Sequence, residues 1–120
     1  MQQTPIFTSS GEWVAMLVDG MLYNVQGDWI GWVDEENGVF SVRGEYAGWL
    51  SRDRRVLRHR DTSQMRARRQ PPPAPPRMRL PASVPLAPLM AELRFDTIDV
   101  FEDAPQRLEP LDLDQLDDLD

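Results

Sequence analysis

Between Ile6 and His59, short apolar runs alternate with polar gaps that hold glycine, aspartate or asparagine. Runs of this length, bounded by turn residues, predict β-strands rather than helices. Aligned on Gly11, Gly27 and Gly44, the segments GEWVAMLVDGMLYNVQ, GDWIGWVDEENGVFSVR and GEYAGWLSRDRRVLRHR repeat one another. Each opens with glycine and an acid (Glu12, Asp28, Glu45), then an aromatic (Trp13, Trp29, Tyr46) and an aliphatic residue or alanine (Val14, Ile30, Ala47). A small residue (Ala15, Gly31, Gly48), a large apolar one (Met16, Trp32, Trp49) and an aliphatic one (Leu17, Val33, Leu50) follow. The repeats span residues 11–26, 27–43 and 44–60, with half a repeat at 5–10.

Within each copy a second run follows a turn, after Asp19-Gly20, after Asn37-Gly38 and after Arg52-Asp53-Arg54. Asp-Gly and Asn-Gly supply the positive φ of tight hairpins, so each copy reads as a two-stranded hairpin. The glycines between copies mark further reversals, and the whole reads as an all-β, antiparallel up-and-down meander. Simple alternation puts the third, fifth and seventh residues of each copy on one face and the fourth and sixth on the other. The small fifth residue points to close backbone approach, or to a ring lying across it. Three and a half hairpins leave open edges, and the strand-like segment from Phe95 to Phe101 is the candidate to complete a fourth.

The run GEWVA, VDG, YN, GDWIGWV, VF, GEYAGWLS and RVLR, followed by an Arg/Pro-rich stretch and a short aromatic segment, resembles the bacterial 4-fold beta flower proteins. The resemblance covers about Ile6 to Arg60 and, more loosely, the later segments. It implies pseudo-fourfold hairpin repeats and carries over no catalytic residue, because the family is essentially without an assigned activity. MORN repeats share the Tyr-Gly-Trp flavour but have a longer period. The chain departs from the family pattern by continuing into an acidic tail.

Composition divides the chain. The expected organisation is a hairpin-repeat domain over 1–61, a Pro/Arg-rich linker over 62–91, a closing strand within 92–103 and an acidic disordered tail over 104–120. All four tryptophans lie between Trp13 and Trp49, and eight of the eleven prolines lie within 62–91. The net charge of −7 hides a basic middle: residues 1–50 sum to −6, 51–91 to +8 and 92–120 to −9, with arginine the only basic residue besides His59. Neutralisation within the molecule is the preferred reading, ahead of an interaction arm. The proline stretch reads as an extended strap returning the last strand to the flower, with an SH3-type ligand in PPPAPPR as the sharper alternative. The tail, with leucines spaced among acids, reads as a segment that orders only with a partner or against the arginines.

The chemistry is sparse. The chain has no cysteine, hence no disulfide, thiolate metal site or cysteine nucleophile. No apolar run is long enough to span a bilayer and the N-terminus does not read as a secretory leader, so a soluble cytoplasmic protein without membrane association is expected. His59, between Arg58 and Arg60, reads as a surface residue, and Glu12, Asp28 and Glu45 read as turn acids rather than as a cation-binding ring. No cofactor, metal or catalytic residue is expected. The candidate ligand or partner surface comprises Trp32, Trp49, Arg66, Arg68 and Arg69, and the reading is a non-enzymatic binding or scaffold module of unknown ligand, with a homo-oligomer possible. The alternatives are an enzyme or enzyme subunit whose site forms only in an oligomer, and an arginine-mediated binder of nucleic acid or another polyanion. Nucleic acid is disfavoured by the acidic chain and by the lack of interleaved aromatics in the basic segment.

Overall fold

In the computed structural model, described over residues 2–61 and 65–111, the apolar runs form one eight-stranded antiparallel sheet whose spatial order follows the chain. The strands are β1 (Gln3–Phe7), β2 (Trp13–Val18), β3 (Met21–Asn24), β4 (Trp29–Val33), β5 (Gly38–Ser41), β6 (Tyr46–Leu50), β7 (Val56–His59) and β8 (Thr97–Asp99). A short helix, α1 (Val100–Asp103), and a 3-10 turn (Pro105–Arg107) follow.

One turn device recurs. Thr8, Asn24, Asp34, Ser41 and Ser51 each open a five-residue loop, and each side-chain oxygen accepts the backbone N–H four residues on. The fourth loop residue is left-handed: glycine at 11, 27 and 44 (φ 86 to 89°), but Asn37 and Arg54 (φ 64°) in the other two. The Asn37-Gly38 pair is therefore not a two-residue hairpin turn, since only Asn37 has positive φ and Gly38 already begins β5. Asp19-Gly20, with φ of 51° and 81°, is the two-residue turn expected there.

The assignment of faces by simple alternation is corrected by a repeated bulge. Pairing slips between Ile6 and Phe7, Leu22 and Tyr23, and Val39 and Phe40, so that Trp13, Trp29 and Tyr46 sit opposite Phe7, Tyr23 and Phe40. The extra residue reverses the side-chain parity after the aromatic. Trp29 thus shares a face with Trp32, whereas Ile30 and Val33 pack inward. The inner cluster draws Ile6, Ala15, Leu22, Ile30, Val39, Ala47 and Val56 from seven strands around the centre. Backbone approach explains the small fifth residues: a Cβ on Gly31 would meet the carbonyl of Phe40, and one on Gly48 would overlap that of Leu57.

The segment after the linker supplies β8, which pairs with β7 through Leu57↔Asp99, Arg58↔Ile98 and His59↔Thr97. Side chains join β8 to the other end of the sheet. Asp99 Oδ2 accepts from the backbone N–H and hydroxyl of Ser9 (2.7 and 2.8 Å), and Glu102 Oε1 accepts from the N–H of Ser10. The tail expected to lack structure from residue 104 onward is packed at its start. Val100 and Leu108 cap the inner cluster, Leu108 being 4% exposed, and Leu111 packs on the outer aromatic cluster. The expectation for residues 112–120, like the first residues of the linker at 62–64, lies outside the described residues.

The Pro/Arg-rich segment runs across the outer face with a period of its own. From 66 to 93, positions 66, 72, 75, 78, 84, 87, 90 and 93 are half-buried, and all others but Pro71 and Leu80 are exposed. Three residues per turn is the repeat of a polyproline II helix, so one side of the strap faces the sheet throughout. It is fastened at nine-residue intervals, or three such turns. Arg69 N–H donates to Gly44 O and Met78 N–H to Gly27 O (2.9 Å each), and Ala87 lies against Gly11. A methyl group on Gly27 or Gly44 would overlap the strap carbonyl of Met78 or Arg69.

Candidate docking surface

The basic segment turns much of its charge inward. Asp34, whose carboxylate is only 1% exposed, accepts from Arg66 (2.6 Å) and Arg69 (2.9 Å) through Oδ2 and from the N–H groups of Glu36 and Gly38 through Oδ1. Burial pushes its pKa up, but the Arg66 hydrogen bond and charge and the two backbone N–H groups outweigh this and hold it down at about 2. The same pair raises the pKa of the Arg66 guanidinium. Both guanidinium groups lie over aromatic rings, Arg66 over Phe40 and Tyr46 and Arg69 over Trp32 and Phe40, at 5.2 to 5.8 Å. Trp32 and Phe40 are themselves stacked, with centroids 4.6 Å apart.

Of the five residues singled out from sequence, Trp32, Arg66 and Arg69 therefore converge on one place, where they bind the strap to the second hairpin. Arg68 is exposed on the strap. Trp49 lies apart on the third hairpin, half-buried, with its ring tilted against His59 at 4.6 Å. The arginine of PPPAPPR, the residue an SH3-type partner would read, donates to Gln26 O and faces Asp28 at 3.4 Å.

Arg55 and Arg58 are buried for different reasons. Arg55 grips Asp53 through Nε and Nη2 and also donates to Ser9 Oγ and Ala91 O, joining the third hairpin to β1 and to the end of the strap. Burial raises the pKa of Asp53, but Arg55, the Ser51 hydroxyl and the Ala91 N–H together bring it below its ordinary value. Arg58 occupies the position at which the first two copies have the turn openers Asn24 and Ser41. It donates instead to the carbonyls of Tyr46 and Ala47, and burial followed by the neighbouring charge of Arg107 lowers its pKa. These side chains that look reactive in sequence are spent on joining strands. Among the described residues no three of His, Cys, Asp and Glu gather in a group that could hold a metal ion.

The outer side of the strap is different. Leu86, Leu89 and Phe95 are 97%, 99% and 89% exposed. Beside them opens a hollow of about 390 Å³ lined mainly by Trp49, Leu57, Leu89 and Leu93, with Arg52 and Arg94 among its polar walls. Sequence reasoning named Trp49 but missed the leucines and Phe95. The signal was present in part, because 86 and 89 keep the three-residue spacing on a different side from the anchoring positions 84, 87 and 90, whereas Phe95 lies in the turn before β8.

A curled meander of hairpins whose ends are joined by Asp99, Arg55 and the Phe7 N–H, and which is wrapped by an extended Pro/Arg strap, defines an all-β repeat architecture with pseudo-fourfold organisation. The chain belongs to the 4-fold beta flower protein family, whose model matches residues 4–98. No curated protein and no solved structure matches it. No helix among the described residues is long and apolar enough to cross a membrane.

Proposed function

We propose that this flower is a non-enzymatic binding and scaffold module of the bacterial cytoplasm, and that its ligand is a protein docking on the ridge of Leu86, Leu89 and Phe95. The observation that carries the reading is the exposure of three large apolar side chains on a segment whose opposite side is anchored. Large apolar side chains exposed to this degree mark protein interaction sites more often than they are left to water. Anchoring also lowers the ordering cost of binding, since the strap is already extended and held by Met78 and Ala87. The use of Arg55, Arg66, Arg69 and Arg77 in internal contacts favours this reading over one in which the basic segment binds a polyanion.

The test is a photo-crosslinking amino acid placed at position 95 of the full chain in the cell that makes it. A discrete protein adduct that disappears on Leu86→Glu or Leu89→Glu is expected. Absence of any adduct, with the flower folded, overturns the reading.

A further inference from the structure

The ridge and the hollow lie on one face and have opposite shapes. Phe95 is a knob 89% exposed. Its chain neighbour Arg94 and Thr97, two residues on, line the hollow, whose apolar walls are Trp49, Leu57 and Leu93. A face that carries a protruding apolar group and an apolar recess side by side is complementary to itself after a two-fold rotation, because each copy offers what the other lacks. The charges obey the same rule. Glu92 and Arg94, both exposed, line the hollow with opposite signs, Arg94 also facing Asp96 of its own chain at 3.7 Å, so a two-fold mate can set acid against base rather than like against like.

We infer that this face pairs with the same face of a second copy of the chain, an inference that rests on the docking reading above and names the partner. Phe95 of each copy enters the hollow of the other. The two straps run antiparallel across the axis, with Leu86 of one against Leu89 of its mate. Their spacing suits this, since residues three apart on a polyproline helix are separated by about 9 Å along one side and leave a gap the opposing leucine fills. The hollow is walled on one side by Leu89 itself, so the strap contributes both to the ridge and to the recess. Dimer formation therefore requires the strap in place.

Sedimentation of the purified full chain over about 1 to 100 μM tests this. The expected result is a concentration-dependent doubling of mass, abolished in Phe95→Asp and in Leu89→Glu while circular dichroism and the thermal melt stay those of the folded chain. Because the chain has no cysteine, oxidising a mixture of the Phe95→Cys and Leu93→Cys variants should give the mixed disulfide in preference to either homodimer. A native chain that stays monomeric throughout overturns the inference, as does a dimer whose mass survives both ridge substitutions. The crosslink at position 95 separates the two levels. An adduct with a different protein leaves the docking reading standing and removes the second copy, whereas no adduct removes both.

Discussion

Asp99 and Ser9, ninety residues apart, close the flower: one carboxylate oxygen takes both the backbone N–H and the hydroxyl of the serine. The other oxygen accepts from the N–H of Phe101 and caps α1, so this buried side chain seals the seam and starts the helix that plugs the ring. Asp99→Ala leaves three donors without their acceptor and should cost about 2 to 4 kcal/mol, read as a drop in the urea midpoint. Asp99→Asn, which keeps one acceptor oxygen, should recover part of the loss.

Gly27 and Gly44 serve two demands, a left-handed backbone and room for the strap carbonyl. Gly11 meets only the first, since a Cβ added there would lie at an ordinary contact distance, 3.8 Å, from Ala87 Cβ of the strap. Alanine at 27 or 44 should therefore destabilise the chain more than alanine at 11, the latter by about 1 kcal/mol and the former by about 2 or more. Thermal melts of the three variants check the order, and equal losses would mean that the strap yields without cost.

Asp34 gives acid stability a defined window. Its folded-state pKa, about 2, lies below that of an unfolded aspartate, so its contribution is complete above about pH 4 and is lost as pH falls toward 2. Since its arginine partners are partly solvated, the contribution is on the order of 1 to 2 kcal/mol. Asp34→Asn should lower stability at pH 7 and converge with the native chain near pH 2, measured by urea titration at each pH.

Strap positions one or two residues apart should behave oppositely. Val84 packs toward the outer aromatic cluster, while Leu86 faces solvent. Val84→Asp should loosen the strap and lower stability by about 1 to 3 kcal/mol, whereas Leu86→Asp should leave monomer stability within about 0.5 kcal/mol. Proteolysis within residues 65–93 reports the first effect, and an equal protease sensitivity of both variants would contradict a sided strap.

The sheet was legible because the repeat is written in residues that act locally: the turn-opening Thr8, Asn24 and Ser41, the glycines that follow them, and the apolar runs between. Their order along the chain also dictates an up-and-down meander. The bulge was not legible, since it depends on how two backbones meet opposite Tyr23 and Phe40 and leaves the residue types unchanged. Ignoring it put Trp29 and Trp32 on opposite faces. The strap was read by composition alone, yet Pro72, Pro75, Met78, Val84, Ala87, Met90 and Leu93 already keep a period of three. That period was obscured because prolines also occupy the outward positions. At the candidate surface, Trp49 was conspicuous by type, but Leu86 and Leu89 gain meaning only once the strap has an inside and an outside. Asp34 looked like one acid in the run Asp34-Glu35-Glu36, and its role depends on two arginines more than thirty residues away.

The seam at Ser9 and Asp99 also sets an order of events during synthesis. The first three hairpins can pair as they emerge, each with the strand before it, but the partner of Ser9 is made some ninety residues later. Until then the third hairpin reaches β1 only through Arg55 on Ser9 and the Arg54 carbonyl on the Phe7 N–H, β7 lacks its outer partner, and the strap is laid down from Gly44 back to Gly27 as it leaves the ribosome. The nascent chain is thus a half-fastened sheet for most of its translation, and the segment around Asp99 acts as the latch.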